Sequence, residues 1–177
     1  MLLISTLLFF LAIALLILFV VLSKFIAFVR TRVPFVPTRK SDIEFIVKKV
    51  GINSSDVFYD LGSGNGKVVF LVEKLTGAQA VGFEMGWWTY LYSVLKSRLI
   101  NSKARFKNKN FFHAPWKDAD IIYCYLYPPL MGRIEEKFLT EMKPGSLAIV
   151  RDFPFPQLAH KEKYFLPGDH EIYVYRK

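Results

Sequence analysis

Three glycines at alternate positions form the part of this sequence best suited to chemistry. Asp60 is followed by Gly62, Gly64 and Gly66 in the run Asp-Leu-Gly-Ser-Gly-Asn-Gly. Glycine adopts positive φ angles at low cost and lets the backbone approach a ligand closely. The pattern therefore predicts a loop that cradles a nucleotide-like ligand.

The spacing of these glycines excludes two common nucleotide sites. A dinucleotide fingerprint that begins at Gly62 needs glycine at position 67, which is Lys67. A phosphate-binding P-loop ends in Gly-Lys followed by serine or threonine, and Val68 stands there instead. An acid two residues before the first glycine suits a ligand with an amino group, such as the methionine part of S-adenosylmethionine.

A second acid, Glu84, ends the next apolar run after the glycine loop. In a βαβ unit, an acid at the end of the second strand accepts hydrogen bonds from the hydroxyls of a ribose. Glu84 and the glycine loop together therefore predict an adenosine-containing ligand.

The elements that must position these residues alternate between strand and helix patterns. Continuous apolar strands between helices favour a parallel sheet that is covered on both faces. We expect an α/β, Rossmann-like sheet of seven strands, mostly parallel, with an antiparallel edge hairpin around Pro167-Gly168-Asp169. Ser41 and Glu44 predict a capping box at the start of the short helix that follows them. The predicted strands are 57–61, 79–84, 104–106, 121–126, 147–151, 164–166 and 172–175, and the later helices are 67–75, 87–99 and 130–142.

Residues 1–22 carry no charged side chain. At ~1.5 Å per residue, a helix of this length crosses the ~30 Å hydrocarbon layer of a bilayer. Basic residues follow this segment and none precedes it, so the positive-inside rule places the rest of the chain on the cytoplasmic or matrix side. We therefore expect a single-pass membrane protein that contacts the lipid bilayer through residues 1–22.

The chain should have three parts. Residues 1–30 form the predicted transmembrane anchor and interfacial helix, 31–40 a proline-containing connector, and 41–177 the catalytic domain. The net charge of +9 is partly explained by the basic cluster after residue 22, and no nucleic acid is expected. The three histidines and Cys124 show no metal-ligand spacing, and no metal is expected.

Several stretches resemble a known family. Residues 60–66 and 80–84 look like the first two motifs of class I (seven-strand) S-adenosylmethionine-dependent methyltransferases. More narrowly, the chain resembles the membrane-anchored lysine methyltransferases that act on the ATP synthase c-subunit or the adenine nucleotide translocase, and their prokaryotic relatives. That resemblance rests on Val-Pro-Phe-Val-Pro-Thr at 33–38, Glu-Glu-Lys-Phe-Leu at 135–139 and Phe-Pro-Phe-Pro at 153–156.

The resemblance implies a set of residues that bind S-adenosylmethionine. Asp60 and the glycines would hold the methionine moiety, Glu84 the ribose, and Met85 the adenine. Asn110 stands where the family normally offers an acid to the adenine amino group, and its amide oxygen can accept the same N–H bond. The full set is Thr38, Asp60, Gly62, Ser63, Gly64, Gly66, Glu84, Met85, Asn110 and Phe111.

Tyr127 is the candidate catalytic residue, just before Pro128-Pro129. It would position a substrate amine through its hydroxyl or its ring face. The expected substrate is a lysine of a membrane protein. A lipid or quinone methyltransferase, or a non-catalytic membrane-tethered cofactor-binding or assembly factor, are the alternatives.

Overall fold

The computed structural model describes residues 2–31 and 38–177. In the first range, the side chains of residues 4–19, 21 and 22 are described. The predicted connector therefore lies largely outside the described residues. Contacts divide the chain into two units, Met1–Pro34 and Phe35–Lys177.

The first unit contains the helix α1 (Leu2–Thr31). Within the described part of the chain, no helix combines the length and apolar character needed to cross a membrane. This finding overturns the predicted single-pass membrane localisation, and it leaves the predicted anchor and the bilayer contact through residues 1–22 without support.

The second unit is built on a seven-stranded sheet with the order β3-β2-β1-β4-β5-β7-β6. Pairs among the first five strands are parallel, whereas β7 is antiparallel to both β5 and β6. The predicted mixed sheet with an antiparallel edge hairpin is therefore confirmed. The strands are β1 (Val57–Leu61), β2 (Gln79–Phe83), β3 (Arg105–Lys107), β4 (Ile121–Cys124), β5 (Leu147–Arg151), β6 (Glu162–Leu166) and β7 (His170–Arg176).

Among the described residues of this unit, 38–177, there are four further helices and two short 3₁₀ turns. Left-handed glycines bracket α3, because Gly66 (φ 76°) precedes it and Gly77 (φ 73°) ends it. Helix α4 has the bounds that its apolar spacing predicts. The helices are α2 (Lys40–Val50), α3 (Lys67–Thr76), α4 (Trp87–Leu99) and α5 (Met131–Glu141), and the 3₁₀ turns are Phe111–His113 and Pro128–Leu130.

The start of α2 differs from the prediction. Arg39 is the N-cap residue and makes no side-chain cap. Ser41 already lies within the helix and donates from its hydroxyl to Asp42 Oδ1. The predicted capping box does not form, because the helix begins one residue before Ser41 instead of after it.

Helices cover both faces of the sheet. On one face, α2 and α3 pack against strand residues in a cluster that includes Ile43, Val69, Phe58 and Tyr123. Side chains alternate along a strand, so the neighbours of Tyr123 on β4 point to the opposite face. Helix α5 covers that face, and its Phe138 packs against Phe155 with ring centres 5.9 Å apart.

The carboxyl ends of the five parallel-paired strands meet at one edge of the sheet. Asp60 lies at this end of β1, and Glu84, Asn110, Tyr127 and Asp152 follow β2, β3, β4 and β5. Ligands of open α/β sheets bind at this edge.

Candidate active site

The glycine loop is fixed between β1 and β2. The backbone N–H groups of Gly62 and Ser63 both donate to the carbonyl of Phe83, at 3.0 and 2.9 Å. Gly62 and Gly66 have φ angles of 95° and 76°. A Cβ at Gly66 would lie 2.6 Å from the ring of Phe106. The path of this loop therefore requires glycine both for its backbone angles and for its close packing.

Asp60 is buried, with 3% of its surface exposed. Burial, and secondly the nearby carboxylate of Glu84, raise the pKa of Asp60 to about 8. Within the described part of the chain, no hydrogen bond to the Asp60 carboxylate is seen. A buried carboxyl group is costly without a partner. A ligand ammonium group would supply that partner.

Glu84 links the glycine loop to the start of α4. Its Oε2 accepts from the Gly64 N–H at 2.9 Å, and its Oε1 accepts from the Gly86 N–H at 2.6 Å. Burial raises the pKa of Glu84, and the hydrogen bonds from these backbone groups oppose the rise. Each carboxylate oxygen accepts more than one hydrogen bond, so the group retains capacity for ribose hydroxyls.

Ser63 contributes packing under the loop. It is buried, and its hydroxyl has no hydrogen-bond partner among the described residues. A Cβ at Gly82 would lie 2.6 Å from that hydroxyl, so β2 needs glycine at this point. The buried hydroxyl of Ser93 on α4 reaches the carbonyl of Gly64 at 3.2 Å. Gly82 entered the sequence analysis only as a member of the 80–84 motif, and Ser93 was not singled out, because their contacts depend on the fold.

Met85 follows Glu84 and is half exposed, with 50% of its surface accessible. The side-chain amide of Asn108 donates to the carbonyls of Glu84 and Met85, at 2.9 and 3.2 Å. Asn108 therefore fixes the segment on which the predicted ribose and adenine contacts depend.

Asn110 and Phe111 have packing roles in the structure. Asn110 Oδ1 accepts from the Phe112 N–H at 3.0 Å and caps the first 3₁₀ turn. The buried ring of Phe111 lies 4.5 Å from that of Phe112, and its carbonyl accepts from the Trp116 indole N–H. Their contacts with adenine remain predictions.

Thr38 is buried beside β4. Its hydroxyl lies 3.1 Å from the hydroxyl of Tyr123, and Tyr123 is paired with Asp60 across the β1–β4 register. Burial raises the pKa of Tyr123, and the Asp60 charge raises it further. The structure thus connects Thr38 to the strand residue beside Asp60, while its contact with a cofactor remains a prediction.

The segment after β4 lies against the glycine loop. A Cβ at Gly62 would be 2.9 Å from Leu126 Cδ2. Tyr127, the next residue, is 44% exposed and precedes the second 3₁₀ turn. The structure therefore places an exposed aromatic residue beside the predicted cofactor loop.

A buried ion pair connects α2 with the end of β5. Arg151 Nη1 lies 2.8 Å from Asp42 Oδ2, and both side chains are almost fully buried. The two atoms lie outside hydrogen-bond geometry despite this distance, so the contact is an ion pair. The Arg151 guanidinium also lies 4.9 Å from the ring of Tyr125. Sequence reasoning missed this pair, because nothing in the local pattern joins residues so far apart in the chain.

Asp152 and His170 form a second pair at this edge. Asp152 has a φ angle of 62°, which is uncommon for a residue other than glycine. Its Oδ2 lies 2.8 Å from His170 Nδ1, and its Oδ1 accepts from the Glu171 N–H.

Among the residues that the structure describes, no group of histidine, cysteine or acidic side chains is suited to a metal ion.

The sequence profile of the ANTKMT methyltransferase domain matches residues 60–162, which is more than half of the chain. The chain belongs to this family. Membership in the ANTKMT methyltransferase domain family confirms the predicted resemblance to S-adenosylmethionine-dependent methyltransferases and their cofactor. The residues present fit that cofactor, because the buried Asp60 lacks a cationic partner among the described side chains and the glycine loop leaves backbone room for the methionine moiety.

Two relatives of this ANTKMT-family chain illustrate the similarity. It is 26% identical over 125 residues to a lysine N-methyltransferase of the ATP synthase c-subunit from Xenopus laevis, covering 70% of this chain and 54% of the relative. It is 23% identical over 149 residues to a protein-lysine N-methyltransferase of Saccharolobus islandicus, covering 81% of this chain and 92% of the relative. The chain thus spans about half the length of the Xenopus protein.

The ANTKMT-family fold also resembles that of solved methyltransferases. An RNA methyltransferase of Salinibacter ruber, in complex with S-adenosyl-L-homocysteine, superposes with a TM-score of 0.76 at 24% identity. The match covers 80% of this chain and 93% of that protein. This likeness supports the Rossmann-like methyltransferase fold.

Proposed function

We propose that this chain transfers a methyl group from S-adenosylmethionine to the side-chain amine of a lysine on a membrane protein. The observation that carries the proposal is the buried Asp60 carboxyl beside the glycine loop, in a chain of the ANTKMT family. The lysine acceptor is supported by the activities named for the Xenopus and Saccharolobus relatives. The membrane-protein acceptor is supported by the ATP synthase component in the name of the Xenopus protein.

The site holds the donor through charge and shape. Asp60 binds the amino group of the methionine moiety, and Glu84 accepts from the ribose hydroxyls. Gly62, Gly64 and Gly66 let the backbone approach the ligand without a side chain in the way. When bound, S-adenosylmethionine supplies a methyl group on a positively charged sulfur.

The main tasks of the protein are alignment of the acceptor and exclusion of water. A lysine side chain has a pKa of about 10.4 and is protonated at neutral pH, so the site must favour its neutral form. Removal from water lowers the pKa of an amine. In our proposal, Tyr127 places the amine opposite the methyl group, through either its hydroxyl or its ring face.

The first test is methyl transfer in vitro. The purified chain is incubated with methyl-labelled cofactor and a detergent-solubilised membrane fraction, and the label is measured separately in protein and in lipid extracts. We expect label on lysines of membrane proteins, and we expect Asp60→Ala to abolish it by weakening cofactor binding.

The same assay separates the alternatives. Label only in the organic phase would identify a lipid or quinone methyltransferase and overturn the lysine acceptor. Cofactor binding by calorimetry with no label in either phase would favour a non-catalytic cofactor-binding factor. Tyr127→Phe keeps the ring and removes the hydroxyl, so activity that survives Tyr127→Phe but not Tyr127→Ala assigns the role to the ring.

A further inference from the structure

Glu135 is a buried acid that the cofactor site does not use. It lies on α5 with 4% of its surface exposed. Its Oε2 accepts from the Gln157 N–H at 3.2 Å, and its Oε1 accepts from the N–H of Leu158. A buried carboxylate is stable only when hydrogen bonds replace its hydration, and hydrogen bonds to a charged acceptor are stronger than neutral ones. Glu135 therefore holds the loop that follows β5.

This loop, residues 152–158, is the segment that carries Phe-Pro-Phe-Pro. Phe155 anchors it from below, because its buried ring lies 4.4 Å from that of Tyr175 and its N–H donates to the Tyr175 hydroxyl at 2.9 Å. Pro156 Cγ lies 3.7 Å from the position of a Cβ at Gly132 on α5. Two of the stretches noted in the sequence, 135–139 on α5 and 153–156 after β5, thus meet: the rings of Phe138 and Phe155 lie 5.9 Å apart, and Glu135 holds the two residues that follow 153–156.

Phe153 occupies the outer end of the same loop. It is 37% exposed, and its ring is stacked against that of Tyr125 with centres 6.4 Å apart. Tyr125 directly precedes Leu126, which packs on Gly62 of the cofactor loop, and Tyr127 follows with its side chain exposed. Three aromatic residues therefore stand at the carboxyl ends of β4 and β5, next to the predicted donor site.

Aromatic faces suit a lysine side chain. They attract an ammonium group and pack against the apolar stem that carries it. The path of the loop decides where Phe153 presents its ring at this edge. The two backbone hydrogen bonds to Glu135 hold the loop at 157 and 158, in addition to its anchor at Phe155.

We propose that Glu135 is a positioning residue for the protein substrate: it fixes loop 152–158 so that Phe153 and the tyrosines after β4 form the entry for the target lysine. This inference rests on the proposed function. It predicts a change in the apparent KM for the protein acceptor and none in the affinity for the cofactor, since the Asp60 and Glu84 contacts do not involve the loop.

The test compares three substitutions on α5. Glu135→Ala removes both acceptors, and Glu135→Gln keeps one carbonyl oxygen. Glu136→Ala is the matched control, because Glu136 is the next residue on α5 and is exposed. The acceptor is a titrated, detergent-solubilised membrane-protein extract with labelled cofactor. We expect the apparent KM to rise about tenfold in Glu135→Ala, which corresponds to roughly 1.4 kcal/mol of acceptor binding. The rise should be smaller in Glu135→Gln and absent in Glu136→Ala.

Two further measurements keep the inference testable if Glu135→Ala folds poorly. Phe153→Ala removes the exposed ring without touching the buried carboxylate, and it should raise the KM by a similar factor. Hydrogen exchange at the Gln157 and Leu158 amides should be faster in Glu135→Gln than in the unmodified chain.

The outcomes separate this inference from the proposed function. An active parent chain with unchanged KM in Glu135→Gln and Phe153→Ala would overturn the role of Glu135 alone. A parent chain that labels no protein would overturn the proposed function, and the inference with it. A weakened cofactor affinity in Glu135→Gln would also contradict the inference, because it would show that the loop supports the donor site.

Discussion

At the scale of single residues, the ionisation of Asp60 makes the stability of the chain depend on pH. Its pKa is raised to about 8 by burial and by Glu84. The folded chain therefore keeps a proton on this group at pH values where the unfolded chain has lost it, since an exposed aspartic acid has a pKa near 3.9. The contribution of Asp60 to stability thus decreases as pH rises from about 4 to about 8.

Asp60→Asn should remove this loss of stability at high pH and should weaken the binding of S-adenosylmethionine. The variant should be more stable than the parent at pH 8 by up to a few kcal/mol, with a smaller difference at pH 5, because the asparagine cannot ionise. Urea unfolding at both pH values measures the difference. Calorimetry should show at least a tenfold loss of S-adenosylmethionine affinity. A stability difference that does not vary with pH would contradict the raised pKa of Asp60.

The residues of the candidate site divide by whether a known sequence pattern marks them. Asp60, Glu84 and the glycines could be selected because they stand at the recognisable spacing of a βαβ nucleotide-binding unit. Asn108, Ser93 and Glu135 could not, because no sequence pattern marks their hydrogen bonds, which are made only once the chain has folded.

At the scale of elements, local sequence patterns predicted the strands and most of the helices of the α/β unit. The strand Val57–Leu61 and the helix Trp87–Leu99 have the predicted bounds, and each has a glycine at one end, Gly62 after the strand and Gly86 before the helix. The capping box at Ser41 was wrong, since α2 begins earlier. The 3₁₀ turns at Phe111–His113 and Pro128–Leu130 were not predicted, because three residues give too short a pattern to recognise.

The buried ion pair between Asp42 and Arg151 joins α2 to the end of β5. Removing one partner of such a pair leaves an uncompensated buried charge, which costs about 3–5 kcal/mol. Asp42→Ala should therefore destabilise the chain by about this amount in urea unfolding.

A double substitution provides the control for that prediction. Asp42→Leu with Arg151→Met replaces both charges by apolar groups, and such replacements are often neutral or stabilising. It should recover most of the stability lost in Asp42→Ala. A double variant as unstable as Asp42→Ala would show that the loss does not come from the unpaired arginine.

At the scale of the whole molecule, the family match lies within the α/β unit, and the curated relatives named above are lysine N-methyltransferases. Motifs at 60–66 and 80–84 were sufficient to recognise a class I methyltransferase, and the family match at 60–162 confirms it. The predicted transmembrane localisation was wrong, because it was inferred from the composition of residues 1–22, and no described helix meets the requirements for a membrane span. The membrane-protein substrate therefore rests on the similarity to a c-subunit methyltransferase and not on an anchor.

The activity that we propose for this chain is methylation of a lysine on a membrane protein. The sharpest test is mass spectrometry of membrane proteins from cells with and without the chain, with cells that express Asp60→Ala as the control. We predict a lysine that is methylated only in cells with the active chain and unmodified in the other two. Identical lysine methylation in all three, together with the loss of a methylated lipid or quinone, would contradict the claim.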